Sequence, residues 1–393
     1  MIHETQAFCY LVELLRAELS GEPLDGELRA SVDEETVMML YAMSKRFDLC
    51  HTVGDALSKA GLLSAVAKEK FKKWQYLSFF RYQRSEYELS EMRRVLTEAK
   101  IPFMPLKGTV LRDLYPDPAM RVSCDIDILV PPDRAEEARM LFEKTLSYRY
   151  DGMGDHDYQF FTPSELTVEL HFKLYKTEDR VVYALGDVWE HAERLLPDSF
   201  EYRMSGDYCY AYMMAHMAKH FHEGGCGVKP FMDIHVMQTR MPYDRKEACR
   251  MLEEAGLLTF ALAMEKLTAC WFSEGEKPRD HDEIVSYLIE GGAYGGIQGC
   301  LVSKQGAKSG FSYLLSRVFI SRAEMTERYP GLAHRKWLLP FYYIKRIFSV
   351  LFSKEKKETR SAARDTCRLD VGKAKRIIAM YERLEIDAWE ERA

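Results

Sequence analysis

The hexapeptide Asp125-Ile-Asp-Ile-Leu-Val130 restricts this chain more than any other stretch of it. Acids alternating with apolar residues fit a β-strand, in which successive side chains point to opposite faces. Asp125 and Asp127 then share one face, while Ile126, Ile128 and Val130 take the other. Prolines follow at 131 and 132, and the apolar, proline-bounded segment 101–107 (IPFMPLK) reads as an earlier buried strand. The acid-bearing strand is therefore expected inside a sheet. Two carboxylates side by side repel and raise each other's pKa unless a cation lies between them. Such oxygen donors suit Mg²⁺, a hard ion bound by a carboxylate or two together with substrate phosphates.

Two further strands are expected, at YQFFT and, after the turn Pro163-Ser164-Glu165, at LTVELHFKLY. In the latter, Leu166, Val168, Leu170, Phe172 and Leu174 fall on one face, and Thr167, Glu169, His171 and Lys173 on the other. A neighbouring strand with this polar face would bring Glu169 beside the aspartates. Three acids could then hold two divalent ions, spaced at roughly 3.5–4 Å for in-line phosphoryl displacement. Glu169 would add a ligand and help deprotonate an acceptor hydroxyl. Upstream, Lys107-Gly108-Thr109 marks a strand-to-helix junction. Glycine permits close backbone approach, and the first N–H groups of a helix favour an anion. Lys107 and Thr109 add a point charge and a hydroxyl suited to a triphosphate. GTVLRDLY reads as a helix ended by Pro116-Asp117-Pro118, and DRAEEARMLFEKTLSY as another with Asp133 as its N-cap.

The pattern is α+β. A small mixed-sheet core over 99–200 is flanked by a helical region at 1–98 and another at 201–393 that carries a basic tail segment. In the first region, KFKKWQYLSFFRYQRSEYELSEMRRVLTEA predicts a helix that packs its aromatic stripe on a core. In the second, DYCYAYMMAHMAKHFHEGG sets His216 and His220 on one helical face, with Lys219 beside them. These histidines allow three readings: packed or surface residues, contacts to nucleotide phosphates or the acceptor, or ligands with Asp233 of a separate phosphohydrolase-type metal. The last needs an adjacent His-Asp pair on a helix, and His156-Asp157 and His281-Asp282 fall in expected loops. The glycine-rich stretch 291–299 lacks a preceding strand and a following Lys-Ser/Thr, so it reads as an ordinary loop.

Length and composition set outer limits. The 393 residues suggest two or three domains, and 47% hydrophobic content excludes a disordered chain. A net charge of -6 argues against a dedicated duplex-binding protein. Arg335–Arg376 nonetheless holds 13 basic residues against 4 acidic ones. Within it, 337–357 (WLLPFYYIKRIFSVLFSKEKK) could dock on an anionic membrane, although Pro340 interrupts it and packing across the helical domain is the favoured account. Nine scattered cysteines without a Cys-x-x-Cys motif fit a reducing compartment and offer no zinc site. The N-terminus lacks the features of a secretion signal, and no apolar run reaches the roughly 18 residues of a membrane span. A cytoplasmic protein is expected.

Three segments together resemble the nucleotidyltransferase fold of the DNA polymerase β superfamily: Pro105-Leu-Lys-Gly108, Arg121 followed by the Asp125–Val130 strand, and Val168-Glu-Leu-His171. The nearest likeness is to an incompletely characterised bacterial branch with Lys-Gly where other members have Gly-Gly or Gly-Ser. The resemblance implies catalysis and metal binding by Asp125, Asp127 and Glu169. It implies nucleotide binding by Lys107, Gly108, Thr109 and Arg121, with Mg²⁺, or Mn²⁺ in its place, as cofactor. His171, His216, Lys219, His220 and Asp233 would be candidate substrate contacts. The implied reaction moves a nucleoside monophosphate from an NTP such as ATP to a hydroxyl on a small molecule or protein, with nucleic acid disfavoured by the acidic balance. The alternatives are a catalytically silent nucleotide-sensing or protein-binding module, as in a toxin–antitoxin or biosynthetic-cluster pair, and the His/Asp phosphohydrolase.

Overall fold

The computed structural model describes residues 4–175, 184–293, 295 and 371–386. Its centre is a five-stranded sheet of β1 (Met104–Pro105), β2 (Asp125–Leu129), β3 (Arg149–Met153), β4 (Asp157–Phe161) and β5 (Thr167–His171), in the order β1-β2-β5-β4-β3. Only β2 and β5 run parallel, and their register pairs Asp125 with Thr167, Asp127 with Glu169 and Leu129 with His171. The polar faces of the two strands therefore coincide.

The opposite face is apolar and covered. Ile126, Ile128, Val168 and Leu170 pack on Leu89, Met92, Val95 and Leu96 of helix α5 (Ala65–Glu98), and on Ala138 and Phe142 of α7 (Ala135–Lys144). Each such side chain contributes about 1.5–3 kcal/mol when buried. A one-residue slip of β2 would turn both aspartates into this layer, so the register is strongly fixed.

The aromatic stripe of α5 departs from expectation. Tyr76, Phe79, Phe80 and Tyr87 are each more than half exposed, rather than packed on a core. The helix instead buries Phe71, Ser78, Ser85 and Met92, seven residues apart, and the aromatic stripe falls on the other side. Asp133 is likewise not a cap. Following two prolines, a 3₁₀ turn (Pro132–Arg134) takes it up, and α7 begins after Arg134. The helix expected from Gly108 is a single turn, α6 (Gly108–Leu111), continued by a 3₁₀ turn (Arg112–Leu114). Strand β3 and the hairpin β6 (Ala192–Arg194) and β7 (Tyr202–Met204) were not anticipated. β3 is an edge strand without apolar alternation, bulged between Tyr150 and Gly152.

Helices on both sides of the sheet share one core. These are α1 (Glu4–Ser20), α2 (Gly26–Ser31), α3 (Glu34–Arg46) and α4 (Cys50–Lys59) before it, and α8 (Gly206–His222), α9 (Lys229–Arg240), α10 (Arg245–Glu254), α11 (Leu258–Phe272), α12 (His281–Gly291) and α13 (Val371–Arg383) after it. Phe8 of α1 meets Trp271 of α11 edge-on at 5.3 Å, and Phe231 of α9 approaches the same indole at 4.6 Å. Met104, Leu106 and Leu111 of the sheet region join this cluster. No helix among the described residues is long and apolar enough to cross a membrane. The stretch 337–357, most of the basic Arg335–Arg376 segment and most of 291–299 lie outside the described residues.

One buried histidine in this core has a measurable signature. His51 of α4 lies with Nε2 3.2 Å from the Met120 carbonyl, and burial, then the charge of Lys229, push its pKa down to about 4. The unfolded chain takes up a proton near 6.5, which the native state refuses until about pH 4. Stability present above pH 6.5 is therefore lost as pH falls through that window, by about 3 kcal/mol. Urea midpoints measured from pH 7.5 to 4 should show this slope in the native protein and a flatter one in His51→Gln. Parallel profiles would remove His51 as the cause.

Candidate active site

Backbone pairing assembles the acidic face. Beyond β1, the Leu106 N–H donates to the Asp127 carbonyl at 3.0 Å, which carries the next residue, Lys107, across β2. Beyond β2, the Val130 N–H donates to the His171 carbonyl at 2.9 Å and holds the end of β5 alongside. Asp127 is buried at the centre. Its Oδ1 accepts from Lys107 Nζ at 2.7 Å and lies 3.0 Å from His171 Nε2. The same imidazole nitrogen is 3.3 Å from Glu169 Oε2, so His171 bridges the two acids. Glu169 is a quarter exposed, more than the buried Asp127 and His171.

The charges sort themselves accordingly. Burial, then the neighbouring Asp127 carboxylate, push Asp125 up to about 6. For Asp127, burial is outweighed by Lys107 and by the His171 hydrogen bond, which hold its carboxyl far below the usual range. Burial opposes the Lys107 charge, but Asp127 beside it raises its pKa. His171 is also raised: burial works against its cation, and the bonds to Asp127 and Glu169 overcome that.

Lys107 sits at φ +52° and ψ -129°, a backbone region that costs a non-glycine residue about 1–3 kcal/mol. Next to it, a Cβ on Gly108 would lie 2.3 Å from Ser123 Oγ and 3.0 Å from Arg121 Nη1. The close approach that requires glycine here is thus made by protein side chains. Thr109 is buried in the single turn of α6.

Arg121 has a different first partner from the one expected. Its Nε and Nη2 donate to the two oxygens of Asp233 at 2.8 and 2.9 Å, and Tyr115 donates its hydroxyl to the same carboxylate at 2.7 Å. Asp233 is buried and the Arg121 side chain is 13% exposed. Nη1 remains on the Gly108 side, 3.4 Å from Ser123 Oγ. Asp233 therefore anchors Arg121 and does not join the α8 histidines, which takes apart the His216/His220/Asp233 metal set. His281-Asp282 starts α12, not a loop, and is engaged with Trp271 and Lys277.

His216 and His220 turn their Nε2 atoms to 3.1 Å from each other, so at least one carries a proton. Burial, then the Lys107 charge, hold His216 far below its ordinary pKa. Both histidines and Tyr212 of α8 feel the charges of Lys107 and Asp127, so this helix lies near the acidic residues. Lys219 lies near His156, and the His156 ring sits 5.4 Å from that of His171. Sequence reasoning passed over Tyr212, and weighed His156 only as half of a His-Asp pair in an expected loop. Tyr212 is one turn before His216, a spacing that could have found it.

Asp127, Glu169 and His171 each offer a ligand atom, all within 4.8 Å of one another, and form the one such group among the described residues. Burial first, and the Asp127 carboxylate second, disfavour a further negative charge on Asp125. The carboxylates of Asp127 and Glu169, with Asp125 beside them on β2, are the oxygen donors that a hard divalent ion takes, while His171 Nε2 is engaged with both acids.

No curated protein matches the chain. Residues 33–273, more than half of its length, match the family described as uncharacterised nucleotidyltransferase. That span contains the sheet, the Lys107-Gly108 turn, and the helices bearing His216 and Asp233. With an α+β nucleotidyltransferase core flanked by helices, the chain belongs to this nucleotidyltransferase family.

Proposed function

We propose that the protein transfers a nucleoside monophosphate from an NTP, ATP among them, to a hydroxyl on a small molecule or protein, and releases pyrophosphate. The supporting observation is the convergence of Asp127, Glu169 and His171 on one strand face, with Asp125 beside them and Lys107 paired to Asp127. A divalent ion, Mg²⁺ or Mn²⁺, held by Asp125, Asp127 and Glu169 would stabilise charge developing on the transferred phosphoryl group. Lys107, Thr109 and Arg121 Nη1 line the side where the triphosphate would lie. His171 orients Asp127 and Glu169 through one nitrogen. Glu169, the more exposed acid, takes the proton of the acceptor hydroxyl as the hydroxyl oxygen bonds to the α-phosphorus and the bond to the leaving pyrophosphate breaks. His216, Lys219 and His220 border the acceptor side. Residues 99–200 would be the catalytic core between helical regions 1–98 and 201–393. A cytoplasmic setting fits the cysteines, none of which forms a disulfide among the described residues.

The test is incubation with cell extract and NTPs labelled at the α or the γ phosphate, with Mg²⁺ or Mn²⁺. Label should pass to an acceptor from the α position alone, with pyrophosphate released. Transfer from the γ position would make the protein a kinase. Metal-dependent nucleotide binding without transfer would leave the silent sensor.

A further inference from the structure

We infer that Lys107 is the resident cation of the acidic site, giving up Asp127 to a divalent ion and passing to the nucleotide triphosphate as the two bind. The inference rests on the nucleotidyl-transfer reading above and adds to it a coupling between metal and nucleotide. Three observations carry it. First, Lys107 Nζ lies 2.7 Å from Asp127 Oδ1, an oxygen of a carboxylate in the candidate metal group. An ammonium and a divalent cation cannot share one carboxylate oxygen at such range without strong repulsion. Second, the side chain reaches in from the rim. Lys107 is 18% exposed and Asp127 4%, so the flexible four-carbon stem can swing outward without disturbing the strand. Third, the backbone at Lys107 adopts a φ of +52° that glycine would accept without strain. A lysine kept in that conformation points to a use for its charge. Asp127 has Lys107 and His171 as its charged partners among the described residues.

Without nucleotide, the ammonium neutralises Asp127 and opposes metal entry. The triphosphate offers that ammonium a new anionic partner, so nucleotide and ion each ease the binding of the other. The step is an exchange of ion pairs and breaks no covalent bond.

The experiment measures Mn²⁺ binding to the full chain by electron paramagnetic resonance, with and without a non-hydrolysable α,β-imido NTP. It compares the native protein with Lys107→Gly, which removes the charge and relaxes the backbone. The native protein should bind Mn²⁺ at least tenfold tighter when the analogue is present. Lys107→Gly should bind Mn²⁺ alone at least tenfold tighter than the native protein, and the analogue should improve this less than threefold. Equal or weaker Mn²⁺ binding by Lys107→Gly would overturn the exchange and leave the nucleotidyl-transfer reading standing. Should the variant melt early, a thermal midpoint that rises with Mn²⁺ more steeply than in the native protein supports the exchange. A variant that stays unfolded at saturating Mn²⁺ overturns it. No Mn²⁺ binding by either protein, even with the analogue, would bring down the metal-dependent reading as well.

Discussion

Asp127→Asn should lower NTP-dependent pyrophosphate release by at least 10³-fold, which corresponds to about 4 kcal/mol of transition-state stabilisation. The same substitution should also destabilise the fold. Asp127 is buried against Lys107 and His171, and removing one partner of a buried pair costs about 3–5 kcal/mol, with the lower end expected because asparagine still accepts a hydrogen bond. Activity alone would therefore not separate a damaged site from a damaged fold. Glu169→Gln supplies the separation. Glu169 is a quarter exposed and meets His171 Nε2 at 3.3 Å, where a glutamine oxygen can still accept, so the urea midpoint of this variant should stay close to native while activity falls about 10²-fold or more. If the glutamine variant keeps full turnover, Glu169 is neither ligand nor base. If both variants do, the acidic face is not the catalytic site.

Asp233→Ala should cost about 3–5 kcal/mol, read as a fall in urea midpoint. The substitution strands the largely shielded Arg121 guanidinium and removes the acceptor of the Tyr115 hydroxyl. Arg121→Met combined with Asp233→Leu should recover much of the loss, because a packed apolar pair avoids desolvating two ions. A cost below about 1 kcal/mol for Asp233→Ala would mean that water or another group already satisfies Arg121. That outcome would end the view that α9 holds the arginine against the Gly108 turn.

The strand faces were legible in the sequence because the period of two is a local property. Alternation at 125–130 and 166–174 put the acids on one side and the apolar residues on the other, and the parallel register then set Asp127 against Glu169. What alternation cannot report is pairing across long stretches of chain. Arg121 and Asp233 are 112 residues apart, and nothing near either one signals the other. His171 was placed on the polar face, but its position between two acids depends on how far β5 extends past Asp127. In α5, periodicity grouped Tyr76, Phe79, Phe80 and Tyr87 correctly, yet it cannot say which side of a helix its neighbours occupy. There, two serines won the inward positions. At Asp133, the two preceding prolines imposed a 3₁₀ turn that outweighed a good capping residue.

The helices that precede and follow the sheet interlock through Phe8, Trp271 and Phe231, and the counter-charge of Arg121 arrives from α9. The sheet is therefore not a portable cassette. Cut out at 99–200, it would carry every acid of the site but leave Met104, Leu106 and Leu111 bare and a guanidinium without its anion. Any recombination that exchanges this segment between relatives must bring the surrounding helical shell with it.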